Sequence, residues 1–293
     1  MNIPVYIRRR FGLVATVIAC AVSAPVLASE SVHLDKFPTE KMQSMPALQD
    51  GARTFVNYCL NCHSASMMRF NRLQDIGLTD EQISGSLQFT EGRVGDLMKV
   101  AMRHEDGKAW FGAAPPDLSV EARARASESG SGADWIYTYL RSYYRDGSRE
   151  TGWNNAIFPN VGMPNPLWQW QGMRGAVEER VAPVTDEATG KVTGWTKTTI
   201  TYDHEGNKSE KVEKVDGDGL HEGTHFTLGT PEGGTLSQAE FDDKVANLVA
   251  FMKFMSDPSA STRGRLGIWV LLFIALFVGC TWWLNREYWK DIK

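Results

Sequence analysis

Cysteine is scarce in this chain of 293 residues: there are four. Cys20 lies in an N-terminal apolar run and Cys280 in a C-terminal one, so Cys59 and Cys62 are the only pair between them. That placement excludes a disulfide scaffold. No second Cys-x-x-Cys is present, which leaves a zinc site short of ligands. Net positive charge is also lacking, since 31 Lys and Arg face 35 Asp and Glu for a formal charge of −4. An acidic chain argues against nucleic acid as a partner and is compatible with a basic protein partner. Charge is absent altogether from two strongly apolar stretches, Phe11 to about Val22 and Leu266 to Leu284.

The first charge-free stretch reads as part of a secretory signal over Met1 to Ala28. Arg8-Arg9-Arg10 precede it, and Val26-Leu27-Ala28 offers compact residues for a cut before Ser29. The segment holds those arginines and no acid, so its loss leaves a net charge of about −7. The second stretch, Leu266 to Leu284, has 19 residues. At 1.5 Å per residue it spans about 28 Å, close to the roughly 30 Å of a hydrocarbon core. Trp282, Trp283 and Trp289 form an interfacial belt, with Arg286, Lys290 and Lys293 beyond it. Arg263 and Arg265 stand on the other side, so the signal sets the orientation: the bulk is exported and a short tail stays in the cytoplasm. The expected division is a signal peptide over 1–28, an exported domain over 29–262 and an anchor with its tail over 263–293. A polar, Thr-rich insertion occupies about 174–235 of the exported domain. Export places that domain in the periplasm, tethered to the inner membrane by a single pass.

What the middle of the chain does have is Cys59-Leu60-Asn61-Cys62-His63. Cys-x-x-Cys-His is the attachment signature of a c-type haem. Each thiol forms a thioether with one vinyl group, and the adjacent histidine reaches the iron. A thioredoxin-type pair needs no such histidine and comes with a βαβ pattern that is missing here. The apolar positions Leu48, Ala52, Phe55, Val56 and Cys59 have helical spacing, so the motif ends an amphipathic helix. Gly51 and Phe55 share a face of that helix, and a Gly/aromatic pair permits a close crossing with a C-terminal helix.

Further along, Val94 to Met102 shows a short helical pattern. Gly112-Ala113-Ala114-Pro115-Pro116-Asp117-Leu118 is a rigid extended turn whose carbonyls remain good acceptors, and one of them can take the ring N–H of His63. Arg123 and Arg125 are candidates for a bidentate contact with a propionate. Trp135, Ile136, Tyr139, Leu140 and Tyr143 mark a second amphipathic helix over Ser131 to Tyr144. Within the insertion, Lys197 to Tyr202 reads as a strand, Asp203-His204-Glu205-Gly206 as a turn and Lys208 to Val215 as a return strand. Ser237-Gln238-Ala239-Glu240 is a capping box that opens a helix ended by Asp257-Pro258.

The second axial ligand has several candidates: Met98, Met102, Met163, Met173, His104 and the more distant histidines. Met67 and Met68 are too close to His63 to reach the opposite haem face. Met98 and Met102 fall on an expected helix, where core packing is the default. Chemistry alone puts Met163 first, in its Gly-Met-Pro loop, with Met173 next. A thioether at this position raises the potential.

The order of these features resembles the cytochrome c1 family of the cytochrome bc1 complex. The family-specific segments are Gly112-Ala113-Ala114-Pro115-Pro116-Asp117-Leu118-Ser119, the Arg123-Ala124-Arg125 element and Phe158-Pro159-Asn160-Val161-Gly162-Met163-Pro164. The resemblance implies a mainly α, class I cytochrome c-like haem domain with loop and β-hairpin insertions and one C-terminal transmembrane helix. It implies one haem c held covalently by Cys59 and Cys62, with His63 and Met163 on the iron. It implies Pro115 and Pro116 as haem wall on the histidine side, Arg125 at a propionate, and no further disulfide. The implied role is that of a one-electron carrier, not an enzyme on its own. Electrons would pass from the Rieske iron–sulfur protein to a soluble or membrane-attached cytochrome c, with cytochrome b as the other partner. Asp80, Glu81, Glu91, Glu105 and Asp106 are candidate acids for steering a basic acceptor. The alternatives are a membrane-anchored cytochrome c serving a terminal oxidase or a periplasmic dehydrogenase, and a haem enzyme with an open iron position.

Overall fold

A computed structural model describes residues 33–89, 92–186, 191–215 and 220–291. The signal segment read over 1–28 and the acid Glu91 lie outside the described residues.

Two helices far apart in sequence meet at a glycine. Helix α1, Met45–Thr54, starts at Ser44, whose hydroxyl accepts from the Ala47 N–H at 3.3 Å, and has proline in its first turn. It continues as one π-helical turn, Phe55–Cys59, in which the Leu60 N–H bonds the Phe55 carbonyl at 3.0 Å. Its partner is the 19-residue helix α7, Gln238–Ser256. The expected capping box is present: Ser237 and Glu240 bond each other's backbone N–H. A Cβ on Gly51 would lie 2.0 Å from the Asn247 carbonyl oxygen and 2.8 Å from the Phe251 Cβ, so only glycine permits this crossing. Phe55 and Phe251 pack with ring centroids 5.5 Å apart, both wholly buried. Asp50 clamps the same crossing, accepting from Lys244 Nζ at 2.7 Å, Asn247 Nδ2 at 2.9 Å and Arg53 Nη2 at 2.8 Å.

Between these helices the chain lays down short elements. Strand β1, Ala65–Arg69, pairs antiparallel with β2, Leu97–Met98. Helix α2 is Asp80–Ser86, α3 is His104–Phe111 and α4 is Glu121–Ala124. The helix expected over Val94 to Met102 does not form. Met98 instead pairs with Ala65 in β2, and the helix begins six residues later. Sheet pairing of the buried Met98 overrides a weak local pattern. Helix α5, Gly132–Arg141, has the capping residues Ser131 and Asp134 and buries Ile136, Tyr137, Tyr139 and Leu140. Its Asp134 also accepts from the Phe37 N–H at 2.8 Å, tying down the segment before α1. A hairpin follows, β3 Tyr143–Arg145 with β4 Trp153–Asn155. Helix α6 is Trp168–Gln171.

The insertion holds more sheet than a hairpin. Strands β5 Ala176–Thr185, β6 Val192–Tyr202, β7 Lys208–Val215 and β8 Gly223–Leu228 form an antiparallel sheet in the order β7-β6-β5-β8. The expected β6–β7 pair is present, with Asp203 to Asn207 as its turn. Its base is buried where Tyr144, Ala176, Ile200 and Tyr202 form a second small core. The mainly α reading therefore describes the core, and 174–235 adds a four-stranded sheet to it. Helix α8, Ala260–Trp289, completes the described elements. The most apolar 18-residue window of Thr262–Trp289 has mean hydropathy 2.1 and holds no buried residue, and this is the one helix among the described residues long and apolar enough to cross a membrane.

Gly51→Ala should lower the stability of the detergent-solubilised full chain by more than about 2 kcal/mol, through overpacking that neither helix can relieve. Thermal unfolding followed by circular dichroism measures it. Burial pushes the Asp50 carboxyl up, but its bonds from Lys244, Asn247 and Arg53 outweigh burial and hold it below the usual range. The stabilisation this gives is present above the ordinary carboxyl pKa of about 3.9 and lost as pH falls through the depressed folded value. Asp50→Asn should accordingly be less stable at pH 7, with a flatter loss of stability on acidification below about pH 4.

Candidate haem-binding site

The Cys59 to His63 motif sits at the C-terminal end of α1, as its apolar spacing predicts. Beyond the π-helical turn the Cys62 and His63 N–H groups both bond the Cys59 carbonyl, at 3.1 and 2.9 Å. This tight turn brings two thiols and an imidazole to one helix end. Cys59 is buried and Cys62 partly so, and both thiols are free. Burial pushes the Cys59 thiol up to about 12, with Cys62 adding to the effect. A redox pair of the thioredoxin kind needs the opposite shift, so this environment disfavours it.

His63 is buried, and its Nδ1 lies 2.7 Å from the Pro116 carbonyl oxygen. A carbonyl can only accept, so Nδ1 carries the proton and the Nε2 lone pair is left for a metal. Burial lowers the imidazole pKa; the Pro116 bond and the carboxylates of Glu121 and Asp117 push back without cancelling it. The neutral form, the one that ligates, is thereby favoured.

The Pro115-Pro116 segment is held to β1 by the residues that follow it. Asp117 accepts from the Ser66 N–H at 2.8 Å and the Ser119 N–H at 2.9 Å; the Ser119 hydroxyl accepts from the Met67 N–H at 3.0 Å. Burial raises the Asp117 pKa, and the bonds from Ser119 and Ser66 more than offset it, keeping the carboxylate ionised. The Leu118 N–H bonds the Ser64 carbonyl at 2.8 Å. Pro115 lines a groove with Cys62, Ser64, Met102 and Asp117, which puts Met102 on the histidine side.

Met163 is half-buried against the main core. The Tyr139 hydroxyl is 3.6 Å from its sulfur and 2.6 Å from the Tyr143 hydroxyl. Trp135 stacks on Tyr139 at 4.8 Å, and Phe158 meets both rings edge-on. Arg125 lies over Trp135 with its guanidinium carbon 4.5 Å from the ring centroid, while its Nε donates to Glu121 at 2.5 Å. Arg125, Trp135, Tyr139 and Met163 are therefore contiguous, whereas Arg123 is exposed. Among the other candidates, Met98 is wholly buried in β2, His104 is exposed at the start of α3, and Met173 bridges to Glu232.

Residues that the motif reading does not single out complete this side. Asn154 and Asn155, both buried in β4, bond the backbone of the loop that carries Met163. Their visible signal is the pair of polar residues at the start of an Asn/Pro/Gly-rich segment. The donor set as a whole fits haem c: two thiols on one turn, an imidazole with Nε2 free, a soft thioether and an aromatic wall.

The Cytochrome C1 family model matches residues 37–174, ending where the four-stranded sheet begins. The chain is 39% identical over 272 residues to the ammonia monooxygenase gamma subunit of Nitrosomonas europaea, covering 92% of this chain and 94% of that one. It is 34% identical over 281 residues to cytochrome c1 of Allochromatium vinosum, covering 96% and 98%. Cytochrome c1 of Rhodospirillum rubrum is 22% identical over 305 residues, at 96% and 97% coverage. With near-full-length relatives and a matched haem-motif region, the chain belongs to the cytochrome c1 family of haem c electron carriers in bc1-type complexes.

Proposed function

We propose that Cys59 and Cys62 hold one haem c through two thioether bonds, with His63 Nε2 and Met163 Sδ on its iron. The observation that carries this reading is the 2.7 Å bond from His63 Nδ1–H to the Pro116 carbonyl, which fixes the tautomer a ligating histidine needs. The haem supplies one-electron redox chemistry when bound. The chain's residues do the rest. Pro115 and Pro116 wall the histidine side, and Trp135 and Tyr139 pack beside Met163. Arg125 is free to exchange its Glu121 partner for a propionate, a contact of the same charge-assisted kind. Thioether ligation in an aromatic surrounding favours reduced iron and gives a high potential.

On this reading the chain takes electrons from the Rieske iron–sulfur protein and passes them to a soluble or membrane-attached cytochrome c, in a complex with cytochrome b. A cleaved signal over 1–28 leaves the domain 29–262 in the periplasm, with α8 crossing the inner membrane once and 263–293 including a short cytoplasmic tail. Asp80 and Glu81 on α2 and Glu105 on α3 offer negative charge to a basic acceptor. Asp106 offers less, because Arg103 already bonds both its oxygens at 2.8 and 2.9 Å. The name of the Nitrosomonas europaea relative suggests a second reading, with a monooxygenase as partner. Iron held by both His63 and Met163 would supply electron transfer rather than oxygen activation.

Purification from native membranes should bring b-type haem, a Rieske centre and ubiquinol-to-cytochrome c turnover with this chain. Its isolation with a monooxygenase or an oxidase instead would remove the partner assignment. Met163→Leu should lower the potential by more than about 60 mV, a tenfold change in the one-electron equilibrium; an unchanged redox titration would reject Met163 as ligand. Electron transfer to a basic acceptor should slow several-fold between about 0.01 and 0.15 M salt, with a smaller salt effect in Asp80→Asn, Glu81→Gln.

A further inference from the structure

The loop from Ile157 to Met163 has little regular structure of its own, yet its backbone is held by buried side chains. Asn155, with no exposed surface, accepts from the Ile157 N–H at 3.1 Å and the Phe158 N–H at 3.2 Å through Oδ1. Its Nδ2 donates to the Tyr139 carbonyl at 2.8 Å. Asn154 accepts from the Asn155 N–H at 2.9 Å and the Asn160 N–H at 2.8 Å, and its Nδ2 donates to buried Asp146 at 3.0 Å. Asn160 has φ of 63°, and no other described residue except glycine has positive φ. Arg149 donates to its side-chain and main-chain oxygens, each at 3.1 Å. The left-handed conformation at Asn160 costs energy that these bonds offset. Every amide atom of Asn155 that bonds the loop or helix is thus matched, and one side chain joins the loop to α5. That is the helix whose Tyr139 hydroxyl lies against Met163.

We propose that Asn154, Asn155 and the left-handed Asn160 are positioning residues that latch the 157–163 loop to α5 and so keep the Met163 thioether on the iron. The latch acts on backbone, not on the sulfur, so it sets how often the loop opens. It rests on the assignment of Met163 as ligand. With the loop open, Met163 would not hold the iron, and a small exogenous ligand could take its place.

The test uses the full-length, haem-loaded chain in detergent and compares wild type with Asn155→Ala, Asn160→Val, Asn160→Gly and Met163→Leu. The readouts are the far-red methionine-to-iron charge-transfer band of the oxidised form, carbon monoxide binding to the reduced form, and thermal unfolding. Asn155→Ala leaves the Ile157 and Phe158 N–H groups without their partner and removes one of two donors from the Tyr139 carbonyl, which keeps the Ser142 N–H; Asn160→Val cannot hold positive φ. Both should weaken the far-red band and bind roughly tenfold more carbon monoxide at a fixed subsaturating pressure. Asn160→Gly, which accepts the left-handed conformation, should keep the band. Asn160 is exposed, so Asn160→Val tests the latch even if Asn155→Ala fails to fold. If both variants lose only thermal stability while keeping the band and excluding carbon monoxide as wild type does, the latch is refuted. If Met163→Leu itself leaves the band and carbon monoxide binding unchanged, the ligand assignment falls, and that outcome is separate from the first.

Discussion

The molecule depends on how closely two helix backbones approach at Gly51. A Cβ at Gly51 would lie 2.0 Å from the Asn247 carbonyl oxygen, so α1 and α7 approach as closely as they do only because none is there. That separation lets Phe55 meet Phe251 and brings the Asp50 carboxylate within reach of Lys244 and Asn247. The π-helical turn that follows belongs to the same helix, so the position of Cys59 and His63 is inherited from the crossing. A methyl group at Gly51 would displace the site as well as the core.

The two sides of the site are held by different means. On the histidine side the brace is short and stiff: two prolines with fixed φ, then an aspartate and a serine that bond back to β1. The brace is built from neighbours in sequence and needs little beyond the proximity of β1. On the methionine side the loop is longer and carries a left-handed residue. Its order comes from buried amides on β4 and from the aromatic cluster of α5. His63 is thus braced by a segment of fixed φ, and the loop that carries Met163 by two buried asparagines.

The sheet β7-β6-β5-β8 stands outside both. It packs on the rest of the domain through the cluster around Tyr144, and the Gly206 carbonyl in its β6–β7 turn accepts from the Gly147 N–H at 2.8 Å. Its strands are rich in Thr, Lys and Glu, with salt bridges between Lys197 and Glu179 and between Lys211 and Glu213. A solvated sheet of this kind needs little apolar patterning, because its ladder bonds and its packed base hold it.

The sequence by itself determined the haem motif, the helix that carries it, the Gly51/Phe55 face, the capping box at Ser237 and the apolar segment now seen as α8. These signals are local: a covalent motif needs fixed spacing, a helix face needs its period, and a span needs length without charge. Family resemblance singled out Pro116 and Met163, which spacing alone left among other choices. Tertiary structure decided what rests on distant partners. Met98 lies in a strand because Ala65 pairs with it, and β5 with its Glu-Glu-Arg run and proline becomes a central strand because β6 and β8 flank it. Asn154 and Asn155 look like loop residues in one dimension. Folding buries them and turns their amides into the hydrogen-bond partners of a loop they precede, a role that burial confers and composition cannot signal.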